Sequence, residues 1–162
     1  MTRTKKHLFP LEYYDKDFCL KVNFFTMAVM FICCKSILVS VTAIMTKRAT
    51  ATIIQFFFFS QATMFASWIA TIPTLLVLIA WARRHSGASK IIRALWHYGK
   101  FLLLSSNIMN LAIDIYSMNN KPWVTGTDLC LLYFDGLCLL YILRSKMLSA
   151  IFADFPEVMP KK

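Results

Sequence analysis

Charge is scarce in this sequence. Asp, Glu, Lys and Arg make up 16% of the residues, where an ordinary soluble domain carries about 25%, and that shortfall excludes a water-solvated globule. Acid is scarcer than base: 8 Asp and Glu stand against 18 Lys and Arg. The excess of base does not point to nucleic acid, because the cations sit at the ends of apolar blocks and not in a stripe interleaved with aromatics. Paired cysteines are missing as well. Cys19, Cys33, Cys34, Cys130 and Cys138 contain no CxxC spacing and no accompanying His cluster, which leaves neither a zinc site nor a disulfide framework. Thiols inside apolar blocks are read as small packing groups. Residues 1–21 lack the uninterrupted apolar core of a signal peptide, since charges and aromatics are mixed through them; insertion is expected to begin with the first helix. Internal repeats and low-complexity tracts are absent.

Long apolar blocks fill the space these absences leave. Hydrophobic residues reach 58% and aromatics 15%. The blocks cover residues 22–45, 53–82, 95–118 and 123–143, each long enough at 1.5 Å per residue to cross a hydrocarbon core of about 30 Å. The fold class expected is all-α: an integral membrane bundle of four transmembrane helices. Pro73 lies inside the second block and predicts a kink or tilt there. Asn119-Asn120-Lys121-Pro122 predicts a short turn before the fourth.

Orientation follows from the cations. Arg3, Lys5, Lys6, Lys16 and Lys21 precede the first span; Arg83, Arg84, Lys90, Arg93 and Lys100 lie about the middle loop; Arg144, Lys146, Lys161 and Lys162 follow the fourth. The positive-inside rule assigns these segments to the cytoplasm. Both termini are therefore expected inside, with residues 1–21 as a cytoplasmic or interfacial segment, 22–146 as the membrane domain and 147–162 as a cytoplasmic tail. No segment outside the spans is long enough for a soluble catalytic domain. His7, His85 and His97 fall in or beside the loops, and no nucleophile and base motif appears. No enzyme activity, cofactor or metal is expected.

The polar residues inside the blocks are the candidate site. Lys35 stands about thirteen residues into the first span, where a lysine costs about 2.5–3.5 kcal/mol to insert and its stem reaches water poorly. Asp135 lies at a similar depth in the fourth span, so a Lys35 to Asp135 pair is predicted. Asp128 and Asp135 are seven residues apart and share a helix face. Asn107, Asn110 and Asp114 follow i, i+3, i+7 spacing on the third. Together these six residues predict one polar seam, with Asp114 and Asp128 toward its outer third and answered by a cation, a proton or another subunit. A seam of this kind acts as glue within the bundle or toward a partner; its carboxylates also suit a proton or cation path. The second span contributes Gln55, Gln61 and small hydroxyls only. Its run Phe56 to Phe59, with Phe65 and Trp68, suits lipid or a partner protein.

The membrane boundaries carry a family likeness. Tyr14-Asp15 and Leu20-Lys21 before the first span, Pro73, the Arg83-Arg84 pair, Asp128-Leu129, Leu143-Arg144-Ser145 and Phe152 with Asp154-Phe155-Pro156 resemble the YfeZ-like inner-membrane proteins of Gammaproteobacteria. Cys19 stands where that pattern commonly has a glycine, and Val22-Asn23 where it has prolines. The resemblance implies a bacterial inner-membrane location and a family without an assigned activity; it supplies no catalytic residues. Tyr14-Asp15 and Asp154-Phe155-Pro156 would meet beneath the bundle or fix the chain where it leaves the membrane. The expected function is that of an accessory or scaffold subunit in a larger membrane assembly. A small proton- or cation-coupled transporter is the alternative. Partners are then the lipid bilayer and other membrane subunits or a second copy of the chain, and not nucleic acid.

Overall fold

The computed structural model describes residues 20–46, 57–58, 60–85 and 87–156. Seven helices and no strand appear among the described residues: α1 Phe24–Cys33, α2 Lys35–Met45, α3 Gln61–Ala82, α4 Lys90–His97, α5 Gly99–Asn120, α6 Gly126–Arg144 and α7 Lys146–Ala153. Helices α3, α5 and α6 are each long and apolar enough to cross a membrane, and α1 with α2 makes a fourth crossing if the bent pair is one span.

Capping side chains set most of the helix starts. Ser60 and Thr63 form a reciprocal capping box at α3, and Thr125 and Asp128 form another at α6, each satisfying N–H groups that a helix start leaves without intrahelical partners. Asn23, Ser89 and Ser145 accept from Phe25, Ile92 and Leu148 N–H at α1, α4 and α7. Helix α3 runs unbroken through Pro73.

The first span departs from the straight helix expected over residues 22–45. It breaks at Cys34, and α1 and α2 meet at a 65° bend. Neither proline nor glycine stands there. Ile37 N–H donates to the Cys34 carbonyl, one residue short of the α-helical partner. The Cys33 carbonyl instead accepts from Asn110 Nδ2 at 3.4 Å and Thr71 Oγ1 at 3.5 Å. Side chains from α5 and α3 thus take the place of the helical N–H, an insertion into the ladder that bends helices.

Two further boundaries are corrected. The third span begins at Gly99, not at residue 95, because Leu95, Trp96 and His97 belong to the separate short helix α4. A Cβ at Gly99 would fall 2.3 Å from Phe152 Cε1, so α5 starts against α7 at a separation that only glycine permits. Within the expected tail, residues 146–153 form α7, which packs against α4 and α5 with Leu148, Ile151 and Phe152 buried. The phenylalanine run also differs from expectation. Phe57 and Phe58 precede α3 and Phe58 is buried, while Phe56 and Phe59 lie outside the described residues.

Helix α5 is the hub, packed on α3, α6, α1 and α7, while α2 rests on α3. We call the end holding Lys21, Arg84 and α7 the basic end, and the opposite end, at the turn between α5 and α6, the hairpin end. The main apolar cluster lies toward the basic end, where Met30, Val77, Leu103, Cys138 and Ile142 meet Trp96, Leu148 and Phe152. Toward the hairpin end the buried residues are largely small or polar: Ser36, Ser40, Ala43, Thr63, Ser67, Ser117 and Asp128.

Candidate functional site: a buried lysine shared by two aspartates

Lys35 opens α2 immediately after the break, and the bend aims its side chain between α5 and α6. Its ammonium donates to Asp114 Oδ2 at 2.5 Å and also to Asp135 Oδ2. The Asp135 side chain is fully buried, whereas those of Lys35 and Asp114 retain 15% and 21% exposure. One cation therefore serves two carboxylates. The other oxygen of Asp135, Oδ1, is buried without a hydrogen-bond partner among the described residues, an arrangement that costs free energy in a low-dielectric interior.

Asparagines and hydroxyls surround the triad on its basic-end side. Asn110 Nδ2 donates to the Ser106 carbonyl at 3.0 Å as well as to Cys33. Asn107 is fully buried, with Nδ2 3.9 Å from Cys33 Sγ and Oδ1 without a partner among the described residues. Thr74 and Ser106 share a hydrogen bond of 2.8 Å between α3 and α5, and Ser106 also donates to the Ala70 carbonyl at 2.6 Å. Such interhelical bonds act as glue where burial of apolar surface gives no drive between helices in lipid.

On its hairpin-end side the triad meets open space. A cavity of about 30 Å³ is bordered on one side by Lys35, Ser36, Ser67, Asp114 and Ser117 and on the other by apolar side chains that include Phe57 and Phe58. A smaller one of about 10 Å³ continues from Asp114 and Ser117 to Asp128. A water needs about 10–15 Å³ of such space and several polar partners; the larger cavity meets both conditions. Beyond it Asp128 is paired with Lys121 at 2.6 Å and also caps α6, accepting from Thr125 N–H at 3.0 Å and Thr125 Oγ1 at 2.7 Å.

The six seam residues are strung along this one column, and Asp114 and Asp128, expected to be answered by a cation, a proton or another subunit, each face a lysine. Asp114 shares Lys35 with Asp135. Asp128 has its own cation in Lys121. Among the described residues no group of three or more His, Cys, Asp or Glu could hold a metal.

The boundary residues form a second cluster at the basic end. Asp154 accepts from Leu20 N–H at 3.0 Å, and its carbonyl accepts from Arg84 Nη2 and Trp96 Nε1, each at 3.0 Å. Arg84 Nη1 reaches the Leu20 carbonyl at 2.9 Å, and its guanidinium lies 4.8 Å from the Trp96 ring, within cation–π range. Arg93 lies over Phe155 at 5.2 Å, and Pro156 is buried. Arg144 is exposed in the last turn of α6, where a cation suits the helix dipole. Tyr14 and Asp15 lie outside the described residues. This clasp joins the start of α1, the end of α3, α4 and the end of α7.

The family model described as "Protein of unknown function (DUF2919)" matches residues 9–154. The chain belongs to this family. The match takes in every DUF2919 helix described above, the Lys35 triad and the clasp as far as Asp154. It carries neither the YfeZ-like name nor a bacterial inner-membrane origin. No curated protein and no solved structure matches the chain.

Sequence reasoning read Arg84 only as a boundary cation and Lys121 only as part of a turn, and passed over Trp96 and Gly99. For Trp96 a signal was present: Ser89 as a cap followed by Ile91, Ile92, Leu95 and Trp96 at i, i+1, i+4 and i+5 is the pattern of a short amphipathic helix. For Gly99 there was none, since its role depends on a ring fifty-three residues away.

Proposed function

We propose that this DUF2919 chain is a small multi-pass protein of the bacterial inner membrane, with both termini cytoplasmic, acting as an accessory or scaffold subunit in a larger membrane assembly and catalysing no reaction. The observation that carries the reading is the assignment of the intramembrane charges. Lys35 holds α5 and α6 to the broken first span, and Lys121 holds the α5–α6 turn to the start of α6. The charged side chains of the bundle thus link its own helices, as structural polar groups in membranes do. Long apolar faces remain outside them, including Phe24, Phe31, Phe101, Tyr133 and Leu140, available to lipid or to a neighbouring subunit. The inner-membrane location rests on the resemblance of the boundary motifs, and the orientation on the crowding of cations at one end.

Sizing the full-length protein in mild detergent tests this reading. A discrete heteromeric complex is the expected result. A lone monomer with no partner overturns it.

A second reading, proton- or cation-coupled transport, is favoured by one feature: two carboxylates share a single ammonium beside a partly polar cavity. It predicts a homodimer on sizing. It also predicts that Asp135→Asn leaves the protein in the membrane while abolishing a proton-dependent flux in reconstituted vesicles.

A further inference from the structure

We infer that the Lys35–Asp114–Asp135 triad is a proton-binding site: one exchangeable proton is held between the two carboxylates and reaches them through water from the hairpin end, while the basic-end side stays dry. The inference concerns the same triad as both functional readings and depends on neither, since a subunit and a transporter can each carry such a proton.

Charge balance comes first. Two carboxylates and one ammonium leave one negative charge uncompensated inside the bundle, and an uncompensated charge in low dielectric is far more costly than a neutral acid. Among the described residues, the groups facing the triad supply no further cation. The basic-end side offers the thiols of Cys33 and Cys138 and the amide of Asn107, and α3 offers only the hydroxyls of Ser67 and Thr71. Cys34, at the break itself, is a thiol as well. Among the described residues, Lys121 and Asp128, at the far side of the smaller cavity, neutralise each other.

Access comes second, and it is one-sided. The two cavities form a line from Asp128 past Ser117 to Asp114 and Lys35. In the other direction lie Asn107, Asn110, Ser106 and Thr74, all buried, and beyond them Met30, Cys33, Val77, Leu103 and Ile142, all without exposed surface. Asp114, the more exposed carboxylate, is therefore the point of entry, and Asp135, whose Oδ1 has no partner among the described residues, is the inner one. In the step itself a hydronium in the cavity gives its proton to a carboxylate oxygen, forming a carboxylic acid and water. Lys35 keeps its three protons and its charge throughout.

Infrared spectra of the full-length protein in phospholipid nanodiscs at neutral pH test the site. The wild type is expected to show a protonated carboxylic C=O band that shifts to lower wavenumber on transfer from H2O to D2O. Asp114→Asn and Asp135→Asn should each abolish the band, because one carboxylate and one ammonium balance without a proton. Absence of the band in the wild type, or its survival in both variants, overturns the proposal; the wild-type spectrum needs no substitution and so does not depend on a variant folding. Direction is tested with silver ion, a small thiol ligand, in protein whose native cysteines are replaced by alanine. Silver should block Ser117→Cys and leave Ser106→Cys open to later labelling after denaturation. Protection at Ser106→Cys, or at neither position, overturns the one-sided access.

Discussion

The two halves of this bundle are held together by different physics. Toward the basic end, α1, α3, α5, α6 and α7 pack Met30, Val77, Leu103, Cys138, Ile142 and Phe152 into a continuous apolar cluster, and the Asp154, Arg84 and Trp96 clasp closes it. Toward the hairpin end, small hydroxyl residues and two ion-pair sites take over, with cavities between them. An apolar half tolerates no water and derives its stability from close packing. A polar half depends on pairing: each charge holds its neighbour only while the partner is present. The first should therefore respond to changes of shape, the second to changes of charge.

The largest effect is expected from Lys35→Ala. It leaves two carboxylates without a cation, and removing one partner of a buried pair costs about 3–5 kcal/mol, so the protein should be nearly absent from the membrane fraction. Restoring neutrality with Asp114→Asn and Asp135→Asn in the same chain should recover much of the level, measured by immunoblot. Exchanging Lys35 and Asp135 is a harsher probe. A simple pair would survive the exchange; the triad predicts a loss, because a lysine on α6 must then reach both Asp114 on its neighbour α5 and an aspartate on α2, a geometry the packed helices were not built for. Equal levels in the exchange and the wild type would show that Asp114 takes no part.

Gly99→Ala probes the apolar half. The added methyl must displace the Phe152 ring, and overpacking of this kind costs about 1–3 kcal/mol. Limited proteolysis should cut after α7 faster than in the wild type, and Phe152→Leu in the same chain should slow the cutting again. If the alanine variant resists protease as the wild type does, α7 is not docked as described. Trp96→Phe is milder. It removes the donor to the Ile151 and Asp154 carbonyls while keeping an aromatic ring, a loss of about 1–2 kcal/mol, read by the same protease assay. Thr125→Ala is expected to have the smallest effect, about 1 kcal/mol for a helix cap. It should lower resistance to detergent unfolding without changing membrane level, since Lys121 still holds Asp128.

Much of the seam could be read from the sequence because it depends on spacing along single helices. Asn107, Asn110 and Asp114 share a face by i, i+3, i+7 periodicity, and Asp128 and Asp135 by a seven-residue interval. The pairing of Lys35 with Asp114 was beyond such reading. Depth along the spans put them on different levels, whereas the packed helices bring Asp114 to the same ammonium as Asp135. The amphipathic α4 was visible in outline from Ser89 and its apolar spacing, but it lay in a segment short and charged enough to pass for a loop.

The sequence by itself determined that the chain is helical and built for a membrane: 58% hydrophobic residues gathered in long blocks, with cations crowded at one set of ends, leave few alternatives, because a lipid-facing backbone must satisfy its own hydrogen bonds. Tertiary structure alone decided where the first span breaks, that α7 folds back under the bundle, and that one lysine serves two aspartates. Each of these depends on groups far apart in the chain. Asn110 and Thr71 reach the Cys33 carbonyl, Phe152 lies against Gly99, and Trp96 donates to Asp154. Local periodicity has no access to such contacts, because each forms only after the helices have packed.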